Sequence, residues 1–317
     1  MKSGIVHLHN LHDEFFSPFL FNTLFKSKKI LWTIHDESIY TGHCSCTLGC
    51  QKWKKGCGGC PSLDTYPSVN YDNTKLVFEH KIKIIQNLDP IFVCPSKWIA
   101  ERLKLIYPKQ RVDVIHNGVD TTIFKPIDQN LARTKLGFPL SKKIILFVAE
   151  YSTNNPFKGG DIVRSLINDI HFRDYLFVTV GEKKEFINQN HVGVGYIDNP
   201  MDLAVLYSAA DLLLYPTRAD NFPLVVLESM SCGTPVIASD IGGISEIITD
   251  NIDGFLVRNY SDIQSFKLTL EKFFSLDFNS VNLIKKASVK TVRDKFSKNH
   301  MVDKYNELYN ELNRVSF

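Results

Sequence analysis

Residues 208–246 read SAADLLLYPTRADNFPLVVLESMSCGTPVIASDIGGISE, and the architecture follows outward from them. A helix end rich in small residues gives way to the apolar run 212–215, too short for a helix, which predicts a buried strand. A polar loop at 217–221, a helical stretch, a second apolar run at 234–238 and a Gly242-Gly243 turn follow. Strand, loop, helix and strand in this order form the repeating unit of a parallel α/β sheet, which binds ligands beyond the C-terminal ends of its strands. Asn221 is a capping residue type and Pro223 suits a first helical turn. Free N–H groups and the positive end of the helix dipole are therefore expected at the loop, where a phosphate would bind. Asp220 and Glu228 lie eight residues apart, one before this helix and one inside it. Both could reach ligand hydroxyls, or both could simply face water.

The same alternation extends in both directions. Strands are expected at 5–9, 29–34, 91–95 and 111–115, and again at 143–149, 176–180, 192–195, 212–215, 234–238 and 254–257. Two α/β domains fit this pattern and the length of 317 residues. The segment 116–126, HNGVDTTIFKP, carries Asn-Gly turn chemistry and a closing proline, so the domains are read as 1–122 and 123–294. Residues 295–317 form a terminal helix, with Phe296, Met301, Val302, Tyr305, Leu308, Tyr309 and Leu312 at helical spacing; it is expected to cross back to the first domain. Apolar residues at 44% and charged residues at 22% exclude a fibrous or disordered chain, and a net charge of +3 argues against a dedicated nucleic-acid binder. No apolar run reaches the length of a membrane span, and the first residues lack a secretory leader pattern, so a cytoplasmic protein is expected.

Asp220-x7-Glu228 with the following SMSCGTPVIA (229–238) resembles the acidic-x7-Glu signature of family 4 retaining glycosyltransferases of the GT-B fold. Tyr207-Ser208-Ala209-Ala210-Asp211, Gly242-Gly243-Ile244-Ser245-Glu246 and Asn117-Gly118-Val119-Asp120 extend the resemblance, which covers nearly the whole chain after residue 4. It implies two Rossmann-like domains facing a cleft, the second for the nucleotide-diphosphate sugar and the first for a polysaccharide or lipid-linked acceptor. Carried over residue by residue, Glu228 holds the donor ribose and Asp220 faces the sugar ring. Lys158, in NPFKG (155–159), binds the diphosphate and stabilises the leaving group without a metal. Asn117, Gly118, Asn221, Phe222 and Leu224 complete the implied donor site, and base recognition falls near 194–197. His35, in WTIHD (32–36), resembles the family histidine that reaches the donor sugar. His7, His9 and His12 gain no role from spacing alone. No Asp-x-Asp is present, so the catalytic step is expected to need no cofactor.

The sequence also departs from the family pattern. GIVHLH (4–9) resembles a later strand of the family, so the usual opening strand and Gly-rich loop are expected to be missing and the N-terminal domain shortened. Residues 149–154 lack the arginine that often accompanies the lysine, Asp220 stands for a commoner Glu, and Pro223 stands for a Gly. Either a mis-started full enzyme or a nucleotide-sugar-binding subunit that needs a partner is compatible with this.

Cys44-x5-Cys50-x6-Cys57-x2-Cys60, with Gly56, Gly58 and Gly59 between, suits a structural four-thiolate zinc site; His43 and Cys46 are spare candidates, and free or redox thiols are the alternative. The whole insertion, 43–61, resembles a segment of family members that build bacterial surface polysaccharides. Lys52, Lys54 and Lys55 beside Trp53 suit either peripheral contact with anionic lipid at the inner membrane face or a solvated loop.

Overall fold

The computed structural model describes residues 4–10, 25, 28–155, 157–181 and 185–314. His12 and Pro156 lie outside the described residues. Contacts divide the chain into two compact units, Met1–His116 and Asn117–Phe317.

The first unit carries a parallel sheet of β1 (Ile5–Leu8), β2 (Lys29–Thr33), β3 (Ile91–Cys94) and β4 (Val112–Val114), in that order. Leu31, Trp32, Phe92 and Val93 are buried, as expected where helices cover both faces of a parallel sheet. Ser96 caps helix Lys97–Ile106 by accepting from the Ile99 N–H. Between β2 and helix Thr74–Leu88 the cysteine-rich segment runs through short 3₁₀ turns rather than regular structure. Its anchor is Glu37, a buried carboxylate that accepts from the Tyr40 hydroxyl at 2.7 Å, Arg102 at 2.6 Å and the Thr47 N–H at 2.6 Å. These partners satisfy a charge that would otherwise be costly to bury.

The second unit has a seven-stranded sheet among its described residues, in the order β11-β10-β9-β5-β6-β8-β7. The strands are β5 (Ile144–Val148), β6 (Leu176–Val180), β7 (Glu185–Asn188), β8 (His191–Val194), β9 (Leu212–Tyr215), β10 (Val236–Ser239) and β11 (Phe255–Val257). All pairings are parallel except β7 with β8, a hairpin arm with a register shift that the sequence reading did not foresee. One core cluster holds Leu146, Val178, Leu213 and Ala238 and the other holds Ile145, Phe177, Leu214 and Ile237, so alternate residues of the central strands face opposite layers. From β5 the chain first builds outward through β6 and β8, then returns to place β9 on the other side of β5. That reversal makes the β5/β9 crevice a topological switch point.

The terminal helix is present and begins three residues later than expected. Helix Phe278–Lys295 ends with Phe296 as its C-cap, and a separate helix spans Lys298–Arg314, on which Leu308 and Leu312 are the buried residues. Between them Val119 donates its N–H to the Phe296 carbonyl at 2.9 Å and accepts from Lys298 N–H at 2.8 Å. A Cβ at Gly118 would lie 2.7 Å from the Ser297 carbonyl oxygen, so only glycine lets these backbones approach.

Candidate functional site

The loops after β5 and β9 meet at the switch point. Asn155 Oδ1 accepts from the N–H groups of Phe157 and Lys158, turning the first loop, and Arg218 N–H then donates to the Phe157 carbonyl at 2.7 Å. Gly159 has φ +73° and an added Cβ would sit 1.9 Å from the Pro216 carbonyl oxygen, so the two loops touch backbone to backbone. Arg218 fastens the contact with a bidentate pair to Asp161, at 2.8 and 2.6 Å.

This framework brings Lys158 onto Asp220: Lys158 Nζ is ion-paired with Asp220 Oδ2 and donates to the Tyr215 hydroxyl at 3.2 Å. Tyr215 donates to the same carboxylate oxygen at 2.5 Å. Burial opposes the charge on Lys158, but Tyr215 and Asp220 outweigh it, raising its pKa and keeping it cationic. Burial likewise pushes the Tyr215 phenol up, so it remains a donor. Glu228, one helix further on, accepts from the Tyr207 hydroxyl at 2.9 Å. Burial raises the Glu228 pKa, partly offset by that hydrogen bond. Burial pushes the Tyr207 phenol well up, so it remains the donor to Glu228.

The expected cap at Asn221 is corrected by the structure. Helix Leu224–Ser231 has Pro223 as its N-cap, without a side-chain capping bond. Asn221 serves the loop instead: its N–H donates to Asp220 Oδ1 at 3.0 Å and its carbonyl accepts from Gly243 at 2.8 Å. The Gly-Gly turn thus presses against the acidic loop, and a Cβ on Gly242 would fall 1.8 Å from the Asp220 carbonyl oxygen. Asn117 Nδ2 donates to the Phe222 carbonyl at 2.9 Å, and Phe222 is buried edge-to-face with Phe296, their centroids 5.5 Å apart. Leu224 is exposed at the helix start. Asn117, Lys158, Asp220, Asn221 and Phe222 are therefore brought together, and Gly118 lets their supporting backbone close.

In the first unit His35 lies just past β2, beside a residue given no role by spacing. His9 Nδ1 is 2.9 Å from His35 Nε2, with rings 5.2 Å apart and stacked, and His7 lies 4.4 Å from His9. Burial, then His9 and His35, lower the His7 pKa to about 4. Burial also lowers those of His9 and His35.

Among the described residues no group of three or more His, Cys, Asp or Glu side chains is placed to hold a metal. Cys44, Cys50, Cys57 and Cys60 are half-buried free thiols. Cys57 Sγ accepts from the Gly42 N–H at 3.2 Å, and Cys60 Sγ lies 3.4 Å from His43 Nε2. Burial pushes the Cys44 thiol up to about 11. In the adjoining basic loop Trp53 is buried, and Lys52 folds back onto the Gly58 and Gly59 carbonyls. No helix among the described residues is long and apolar enough to cross a membrane.

The family described as glycosyl transferases group 1 matches residues 128–290, just over half of the chain. The chain is 28% identical over 260 residues to the colanic acid biosynthesis glycosyl transferase WcaC of Escherichia coli, covering 77% of this chain and 62% of that protein. It therefore spans less than two thirds of that relative. Sucrose-phosphate synthase of Thermosynechococcus elongatus has the same fold, with a TM-score of 0.76 at 21% identity over 98% of this chain and 74% of that one. Anabaena Alr3699/HepE, solved with UDP, has a TM-score of 0.69 at 16% identity, over 97% and 79% of the two chains.

Proposed function

Because the chain belongs to the glycosyl transferases group 1 family, we propose that it moves a sugar from a nucleotide-diphosphate donor to a polysaccharide or lipid-linked acceptor. Transfer would proceed with retention, at the cytoplasmic face of the membrane. The observation that carries this reading is the Lys158–Tyr215–Asp220 cluster at the switch point, a cation and a carboxylate held together by a buried phenol. The likeness to WcaC supports a surface-polysaccharide acceptor, and the UDP held by Alr3699/HepE supports a nucleoside diphosphate donor.

In the proposed mechanism the diphosphate takes the place of Asp220 on Lys158, with the N–H groups opening helix Leu224–Ser231 as further donors. Asp220, released, turns to the sugar ring, and Glu228 accepts from the ribose hydroxyls. The bond from the sugar's anomeric carbon to the β-phosphate oxygen breaks while the acceptor oxygen bonds to that carbon from the same face. The acceptor's proton passes to the departing phosphate oxygen. Lys158 stabilises the charge that develops there, a contribution that grows toward the transition state and so accelerates the step. The first unit is proposed to serve the acceptor, with His35 reaching the sugar.

Calorimetry with UDP, GDP, ADP and TDP sugars, with donor hydrolysis followed in the same samples, tests the reading. Selective binding of one donor with slow hydrolysis is expected, and Glu228→Ala should weaken it at least about tenfold, the scale of one lost charge-assisted hydrogen bond. Unchanged affinity in Glu228→Ala would misplace the donor site. No binding by the wild-type chain would favour a subunit dependent on a partner.

A further inference from the structure

Glu228 stands on helix Leu224–Ser231 and Tyr207 on the helix before it, Pro200–Ala209, and the two side chains meet between them: the Tyr207 hydroxyl donates to Glu228 Oε2 at 2.9 Å. The tyrosine is fixed in place. It is fully buried, its ring lies edge-on to Phe124 with centroids 6.2 Å apart, and its carbonyl accepts from Thr234 Oγ1 at 2.6 Å and from the Ala210 N–H at 3.1 Å. Glu228 is only half-buried, and its second oxygen, Oε1, takes no hydrogen bond from a described residue yet is not sealed from solvent.

We propose that Tyr207 is a positioning residue that holds the Glu228 carboxylate in one orientation before the donor arrives, with Oε1 presented to the ribose, and so gives the site its preference for nucleotides with intact ribose hydroxyls. A glutamate side chain is long and rotamer-rich, and ordering such a chain on binding costs affinity. A bond from a fixed phenol moves that cost into folding. An ionised carboxylate only accepts and a ribose hydroxyl can donate, so the oxygen without a protein donor is the one matched to the sugar. The same bond counters the burial that raises the Glu228 pKa, favouring the charged form, which is the stronger acceptor. The preference for ribose hydroxyls rests on the reading of Glu228 given above; the fixed orientation of its carboxylate does not.

The test is calorimetric titration of the full chain with the nucleoside diphosphate of the donor selected by the nucleotide-sugar panel and with its 2′,3′-dideoxy analogue. Wild type, Tyr207→Phe, Glu228→Ala and the double variant are compared. Wild type should bind the intact nucleotide at least about tenfold more tightly, the scale of one charge-assisted hydrogen bond. Tyr207→Phe keeps the buried ring and its contact with Phe124, so the fold is retained. It should lose about three- to tenfold on the intact nucleotide, with its affinity for the dideoxy analogue within about twofold of wild type. A tyrosine that only supported the fold would weaken both ligands alike. In Glu228→Ala the preference should disappear, and adding Tyr207→Phe should change neither affinity by more than about twofold, because the tyrosine acts through the glutamate. A Tyr207→Phe chain that keeps the wild-type preference, weakens both ligands equally, or still costs affinity for the intact nucleotide in the Glu228→Ala background overturns the proposal and leaves the donor site standing. A wild type that shows no preference, or binds neither ligand, removes the reading of Glu228 and the proposal with it.

Discussion

Replacing Tyr215 with Phe isolates the hydroxyl that joins the cation to the carboxylate. The ring is 2% exposed, and phenylalanine fills the same space, so no cavity adds to the effect. The hydroxyl gives one bond to Asp220 at 2.5 Å and takes one from Lys158 at 3.2 Å. A hydrogen bond to a charged partner contributes about 1.5–3 kcal/mol. Asp220 keeps Lys158 and the Asn221 N–H after the change, so only part of this is lost. A destabilisation of about 1–2 kcal/mol follows, which in a unit of this size lowers Tm by about 2–8 °C. Thermal unfolding followed by circular dichroism reads that shift. Calorimetry with the donor selected by the nucleotide-sugar panel should then separate two ligands: affinity for its free nucleoside diphosphate within about twofold of wild type, affinity for the nucleotide sugar down about fivefold, because Asp220 is assigned to the sugar and has lost its orienting donor. An unchanged Tm would mean that the hydroxyl does not hold the pair together. Equal losses for the nucleoside diphosphate and the nucleotide sugar would mean that Tyr215 acts through Lys158 instead.

Glu228→Gln should raise Tm at pH 7 while weakening donor binding. A carboxyl whose folded pKa lies above its unfolded value of 4.5 costs stability as pH rises through the folded pKa, so the difference should vanish below about pH 4.5 in melts taken across pH. Gly242→Ala should abolish donor binding and lower Tm, since its Cβ would meet the Asp220 carbonyl oxygen at 1.8 Å in a left-handed backbone; donor titration at wild-type strength would refute the packing. Cys44, pushed up to about 11 from 9.0, should alkylate about 100-fold more slowly at pH 8 than an exposed thiol, as mass spectrometry of iodoacetamide-treated protein would show. One zinc per chain in freshly purified reduced protein would instead make Cys44 a thiolate ligand and overturn that expectation.

The central strands were readable because their apolar runs are short, bounded by turn formers and buried on both faces, as Leu212–Tyr215 and Val236–Ser239 are. The hairpin arm β7 was not, because it rests on backbone pairing with β8 rather than on an apolar pattern. The motif residues Lys158 and Asp220 were legible; the two phenols that hold the acids were not. Tyr207 and Tyr215 sit in apolar stretches and read as core, which they are, while each hydroxyl answers an acid beyond the next turn or helix. Asn221 reads as a cap from its neighbours in sequence alone, whereas the Gly243 N–H, supplied by a later turn, fixes its carbonyl. His9 could have been found only by pairing β1 with β2, since its partner is 26 residues away.

The short pairing of Val119 with Phe296 and Lys298 sets the limits within which the second unit can be handled as a separate piece. Asn117 braces the Phe222 carbonyl, Gly118 lies against Ser297, and Phe296 packs on Phe222. A fragment cut to the family match alone, 128–290, would discard both sides of this clasp and leave the acidic loop without its support. A donor-binding fragment has to begin no later than Asn117 and run past Lys298, so that the segment entering the unit and the one leaving its penultimate helix close on each other.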